Sequence, residues 1–371
     1  MGAPQAGAQD AQAREVIDPA SLRRALANPV VVAGAQRIDE LSRLNDLPGL
    51  AEELRLALGD ARLTEAGREW LVDRALHGLV RGVPTAPARA LVEQVSRSPP
   101  RIYTIADPEH ARVESHIANA AVPAIDPGAT ARFVLRQWAR AESRDRALAA
   151  LRSGETWPLD RFGAERSGDR ADPARAGIVD AYGALADGEL ANQRSLLITA
   201  VRNRPAAGEL AAVAAERLHD ADLMLAVVRY AQAPVALRAV QRPRSALDAG
   251  AAFDVLSDAT RREDVASAAM LEIGRLAPQE PRAREFLLTS FDRATLAPSA
   301  AAALAALQEP GVAVQVGERL RSAKTEPQRR MLVLALQLDG GSAARAELAR
   351  FSESGAGTAQ LRKEVREWLA H

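Results

Sequence analysis

Four leucines recur at a constant spacing of 31 residues near the end of the chain, Leu276, Leu307, Leu338 and Leu369, each closing an apolar, alanine-rich run. A fixed period between about 20 and 50 residues marks stacked supersecondary units, because one such unit cannot bury its apolar face alone and does so against its neighbours. The residues three before each leucine are Ile273, Leu304, Ala335 and Arg366, and those four before are Glu272, Ala303, Leu334 and Val365. One or both are apolar in every run. Offsets of three and four fall on one helix face, so each run predicts a helix that buries a single stripe, its leucine included. Pro278, Pro310 and the pair Gly340-Gly341 follow at nearly constant distance and predict a helix end and a turn. A second helix fits between each turn and the next leucine, over 281–291, 311–323 and 342–352, so each unit reads as a helical hairpin. In the last unit Arg362 and Arg366 replace Ala269 and Ile273, or Met331 and Ala335, of earlier units. A polar face is what a terminal repeat needs, since nothing covers it.

The runs SAAMLEIGRLAP at 267–278, SAAAALAALQEP at 299–310 and RRMLVLALQLDGG at 329–341 resemble HEAT-like repeats, in their shorter, roughly 30-residue bacterial variety and not the usual period near 40. The resemblance covers 264–371 and, loosely, 172–260. It implies an all-α fold, an α-solenoid of stacked helical hairpins that is regular at the C-terminus and irregular at the N-terminus. It also implies a non-enzymatic scaffold or adaptor for a protein or peptide, since known members are mostly protein-binding surfaces, with a few enzymes and nucleic-acid binders among them. On that resemblance the second helix of each pair lines the concave face. The residues expected to meet a partner there are Arg282, Glu285, Glu318, Arg319, Arg345 and Glu347, a mixed-charge set suited to a polar partner.

Hydrophobic residues make up 47% of the chain and aromatics only 4%, with alanine the commonest residue, so strong helix formers with small side chains favour closely packed helices. At 371 residues the chain exceeds one ordinary core, yet a stack grows by adding units and need not split into globular domains. The 48 basic residues balance 48 acidic ones, and all the basic ones except Lys324 and Lys363 are arginine, which reflects a GC-rich genome before it reflects function. Even, neutral charge argues against general nucleic-acid binding, which needs a basic surface to release phosphate counterions. The clusters Arg202 with Arg204, and Arg238 with Arg242 and Arg244, read as solvated faces. The absence of cysteine removes disulfides, thiolate metal sites and cysteine nucleophiles. No apolar run is long enough to span a bilayer. Residues 1–15 read as a disordered tail of the kind that follows signal cleavage; the expected location is periplasmic or exported if a leader was trimmed, and cytoplasmic otherwise.

Residues 16–152 read as an irregular helical region, with helices at 18–26, 35–44, 48–58, 64–80, 86–96, 130–141 and 144–151. Pro99-Pro100 precedes the strand-like RIYTI. Trp70 reads as a packing residue. The stretch DPEHARVESH gathers Glu109, His110, Glu114 and His116. On a helix His110 and Glu114 share a face, but two histidines four apart with a glutamate between, as zinc proteases need, are missing, so an ordinary surface pair is the expectation. Residues 153–173 lack helical periodicity and read as a loop or junction offering Trp157, Arg161 and Phe162 as a contact loop. Helices resume at 174–186, 193–203, 208–218, 221–232, 235–240 and 246–259, opening a repeat region that runs over 174–371 and ends in the polar cap.

No catalytic, cofactor-binding or metal-binding constellation emerges. The leading expectation is an interaction scaffold. The alternatives are an all-helical enzyme, for example a carboxylate-dependent hydrolase acting on sugars, and a HEAT-like nucleic-acid binder. Six Phe, four Trp and three Tyr are few for sugar platforms, and neutral charge weighs against nucleic acid.

Overall fold

Four helices near the start of the chain begin where a small polar side chain stands just before a proline of the first turn. Asp18, Asn28, Asp46 and Thr85 each accept a backbone N–H of the turn that follows, at Ala20, Val30, Gly49 and Ala88. Such a cap satisfies a donor that has no partner within the helix, and proline there gives up an N–H that was unpaired anyway. The structure is a computed structural model and describes residues 15–105, 121–164 and 172–371. Among the described residues there are 22 α-helices and three short strands, so the chain is all-α. No helix among them is long and apolar enough to cross a membrane. The chain divides into two compact units, Met1–Arg146 with Ala171–Gly177, and Ala147–Arg170 with Ile178–His371.

The first unit contains α1 (Pro19–Leu26), α2 (Pro29–Leu44), α3 (Leu47–Gly59), α4 (Glu65–Leu79), α5 (Ala86–Ser96) and most of α6 (Pro127–Arg152). Its sheet has β2 (Ile102–Ile105) at the centre, parallel to β1 (Glu15–Val16) and antiparallel to β3 (Ala121–Pro123). Buried Glu69 on α4 fastens β2 by accepting the N–H groups of Arg101 at 2.7 Å and Ile102 at 3.2 Å. Val31, Ile38, Leu50, Leu54, Leu76, Val92 and Val134 build the core around Trp138, whose indole donates to the Leu79 carbonyl at 3.0 Å. Trp70 packs half-buried against that core.

Two expectations for this unit need correction. Helix α2 begins six residues before position 35, because the Asn28-Pro29 cap outweighs the modest helix penalty of Val30, Val31 and Val32. The helices expected at 130–141 and 144–151 are one continuous helix, α6. Ser143 does not break it, since its buried hydroxyl donates to the Ala174 carbonyl at 2.7 Å and leaves its own backbone alone.

The second unit runs through α7 (Trp157–Ala164), α8 (Pro173–Ala184, from Ile178 onward), α9 (Asp187–Asn192), α10 (Arg194–Asn203), α11 (Gly208–Leu218), α12 (Ala221–Tyr230), α13 (Ala233–Val240), α14 (Pro243–Ala246) and α15 (Ala249–Ala259). It continues with α16 (Glu263–Leu276), α17 (Pro281–Thr289), α18 (Ala297–Ala305), α19 (Pro310–Ser322), α20 (Glu326–Asp339), α21 (Ser342–Glu353) and α22 (Ala359–Leu369). Helices pack against the next but one as well as the next: α9, α11, α13, α16, α18 and α20 touch in succession, as do α10, α12, α15 and α17, and then α19 and α21. Helix α7 occupies part of the segment expected to be a loop over 153–173.

The leucine period is real but its burial is not uniform. Leu276 is buried, Leu307 and Leu369 are half-buried against the core, and Leu338 is 55% exposed. The conserved burial lies three residues earlier, at Ile273, Leu304 and Ala335. Helix α16 sits between α13 and α18, so both its flanks are covered, whereas α22 after α20 leans chiefly on α21 and leaves Leu338 at an open flank. Pro310 opens α19 instead of ending α18, and Gly340, at φ 66°, caps α20 in the left-handed conformation that glycine takes without strain.

Candidate interaction surface

Long arginine side chains reach across from one helix to the next but one, and their partners decide which surface is left to bind anything else. Arg229 on α12 donates to Asp258 on α15 through Nε at 2.7 Å and Nη2 at 2.8 Å, a two-pronged pair that guanidinium and carboxylate geometry favours. That bond holds the Asp258 carboxyl below its ordinary value against the opposing effect of burial. Arg194 on α10 clamps both Asp220 and Asp222 at the start of α12. Burial pushes Asp220 up, but Arg194 and the capped Leu223 N–H together hold it below its usual value. Other arginines take backbone carbonyls. Arg217 donates to Gly183 O at 2.8 Å and Leu185 O at 2.7 Å, Arg262 to Val228 O at 2.7 Å and Ala231 O at 2.9 Å, and Arg362 to Ala356 O at 3.0 Å and Gly357 O at 2.8 Å. The carbonyls at 183–185 and 228–231 are orphan acceptors at helix C-termini and those of Ala356 and Gly357 lie in the loop before α22; a guanidinium supplies several donors at once.

Of the residues expected to meet a partner, Arg282 and Arg319 fall within this network and Glu347 lies under it. Arg282 on α17 donates to Asp254 and Glu280, both at 3.1 Å, and lies 4.8 Å from the Phe253 ring centroid. Arg319 on α19 donates to Asp292 at 2.8 Å, and Arg345 on α21 lies 5.3 Å from the Trp368 ring centroid. Glu285 and Glu318 are exposed. Glu347 is not a surface residue but fully buried, accepting from Arg321 at 2.6 Å and pairing with Arg350. The space for it exists because Gly317 on α19 has no side chain. Phe162 is likewise a core residue, 1% exposed, because α7 turns it inward; Trp157 packs half-buried against the same core and Arg161 is exposed. In the arginine clusters, Arg202 lies over Tyr230, Arg204 donates to Asp160 at 2.8 Å, and Arg238 and Arg242 pair with Glu209 and Glu216. Residues 107–116, with His110 and Glu114, lie outside the described residues.

On the other succession of helices, large apolar side chains face solvent: Leu237 on α13 is 41% exposed, Leu271 on α16 43%, and Leu338, at the open flank of α20, 55%. Sequence reasoning missed Leu237 and Leu271. The signal was their phase: Leu237 lies two residues from buried Val235 and Ala239, and Leu271 two from buried Ala269 and Ile273, which at 3.6 residues per turn is the opposite face. The chain matches no family model and no curated protein.

Proposed function

We propose that the chain is an interaction scaffold, an α-solenoid of the HEAT-like kind, that binds an extended protein or peptide segment along the row of α13, α16, α18 and α20. The alternating next-but-one packing supports the stacked arrangement. The observation that carries the choice of face is the contrast between rows: this row exposes Leu237, Leu271 and Leu338 at 41–55%, the row of α15, α17, α19 and α21 only Val314 at 37% among the large apolar side chains of its described residues. On the row of α15, α17, α19 and α21, Arg282, Arg319 and Arg345 already hold an acid or a ring. A partner recruiting them exchanges one exposed ion pair for another, a gain of about 0–1 kcal/mol. Covering Leu237, Leu271 and Leu338 gains roughly 25 cal/mol for each Å² removed from water, with nothing displaced. Neighbouring helix axes lie about 8–10 Å apart, and an extended chain advances about 3.3 Å per residue. The fitting partner therefore carries apolar side chains about three residues apart for Leu237 and Leu271, and about six apart for Leu271 and Leu338, since α18 between them exposes no large apolar side chain among its described residues.

Peptide-display selection on the purified chain tests this, followed by calorimetric titration of the selected peptides. The expected peptides are apolar at those spacings, lose binding to the triple change Leu237→Glu, Leu271→Glu, Leu338→Glu, and keep it with Arg319→Glu and Arg345→Glu. Selection that enriches nothing, or peptides indifferent to the leucine changes, removes the proposed surface.

A further inference from the structure

The first unit contains a solvent-open cavity of about 310 Å³ between α2 and α3. Its apolar wall is formed by Ile38, Ala57, Leu63 and Leu71, all buried, with half-exposed Leu56 at the edge. Gly34 keeps the wall flat: a Cβ there would approach Leu71 Cδ1 to 3.1 Å. Three arginines line the same cavity, Arg37, Arg55 and Arg62, with two carboxylates, Glu53 and Asp60.

The charges are unequally placed. The guanidinium side chains are 60%, 58% and 75% exposed, while the Glu53 and Asp60 side chains are 12% and 21% exposed. Arg37 and Arg62 therefore stand outermost with their counter-charges withdrawn, while Glu52, the partner of Arg55, is itself 52% exposed, so an arriving anion meets Arg37 and Arg62 first. Arg55 and Arg62 each use Nε and Nη2 on one acid, Glu52 and Asp60 respectively. Arg37 is different. It engages Glu53 through Nε at 3.1 Å, which leaves its two terminal amino groups as a fork of the width that a carboxylate spans. The Arg62–Asp60 pair does not come apart in the physiological range, since the Arg62 hydrogen bond holds the Asp60 carboxyl down at about 2.

We propose that this cavity binds a carboxylate carried on a compact apolar body, the carboxylate on the Arg37 fork and the body against Ile38, Leu63 and Leu71. At roughly 30 Å³ per water-sized group the cavity holds about ten heavy atoms, and ligand sites begin near 300 Å³. A free medium-chain acid and the apolar C-terminal residue of a peptide both have this chemistry. The proposal is independent of the surface assigned to the second unit.

Isothermal titration with octanoate, octanol and the peptide acetyl-Gly-Gly-Leu, with free or amidated C-terminus, tests it on the full chain. Octanoate or the free-acid peptide is expected to bind, and whichever is tighter identifies the source. Octanol and the amidated peptide are expected to bind at least tenfold more weakly. Arg37→Gln, with its fold checked by circular dichroism against wild type, is expected to weaken the acid at least tenfold, and Ala57→Leu to abolish binding by filling the apolar end. Equal binding of octanol and octanoate, no loss with Arg37→Gln, or no binding of either acid overturns the proposal.

Discussion

Replacing Gly317 by alanine tests how α19 and α21 are fitted together. A Cβ at this position would lie 2.6 Å from Glu347 Cγ and 2.5 Å from its Cδ. Swinging the carboxylate tip relieves only part of the clash, and Glu347, with 0% exposure, has no surface to swing into. Two effects oppose each other. Alanine gains about 1 kcal/mol over glycine in a helix interior, while separating a buried carboxylate from its cations costs about 3–5 kcal/mol. Arg321 and Arg350 are 32% and 57% exposed and re-solvate when released, so the lower end applies. The net loss is about 2 kcal/mol, which at 1.4 kcal/mol per factor of ten is roughly 30-fold faster local opening. Hydrogen–deuterium exchange of peptides covering 310–322 and 342–353 measures it. Gly311→Ala on the same helix is the control, because its Cβ meets nothing within 4 Å; exchange there is expected to be unchanged or slower. Adding Glu347→Ala to Gly317→Ala is expected to recover most of the protection. Exchange in Gly317→Ala as slow as in the control would refute the reasoning.

Asp258 gives the acid side of stability. Because Arg229 lowers its folded value below the ordinary aspartate value of about 3.9, its contribution is present above that value and is lost as pH falls through the lowered one. Wild type is therefore expected to be more stable than Asp258→Asn at pH 6, with the gap closing in strong acid; chemical unfolding followed by circular dichroism reads it, and a gap that persists at pH 2 contradicts the pairing. Excision of 294–324, one 31-residue period carrying α18 and α19, is expected to leave a helical chain that unfolds cooperatively at a lower temperature, since α20 then packs on α16. Loss of helical signal beyond the excised share would count against a stack of equivalent pairs.

Much of the helical framework was legible because caps and periodicity are local. The ends of α5 and α11 coincide with those read from sequence, as Thr85 before Ala86-Pro87, and the Gly208–Leu218 stripe, need no distant information. What depended on neighbours was not legible. Leu276 and Leu338 stand at the same phase of the same period, yet one is sealed and the other open, because burial is decided by whether another helix lies alongside. Glu347 was read as surface because a glutamate on an exposed helix usually is; the pocket for it is made by a glycine 30 residues away, which pattern along one helix does not register.

The arginines carry the same lesson further. Counted along the chain, Arg282, Arg319 and Arg345 look like part of a surface waiting for a polar partner. Yet Arg194 with Asp220 and Arg321 with Glu347 are 26 positions apart, and Arg229 with Asp258 is 29 apart, each near the 31-residue spacing of the leucines. In a stack, side chains about one period apart on outward faces are neighbours, so an acid at that distance is available to an arginine before any partner arrives. An arginine engaged in this way holds its own fold, and it binds from outside only by giving that up. Charge on the outer face of such a chain therefore says little about where a partner docks until the acid one repeat away has been checked. A leucine out of phase with its own helix's buried stripe has no comparable use inside the fold, and that is why Leu237 and Leu271 weigh more than the arginines in locating the surface.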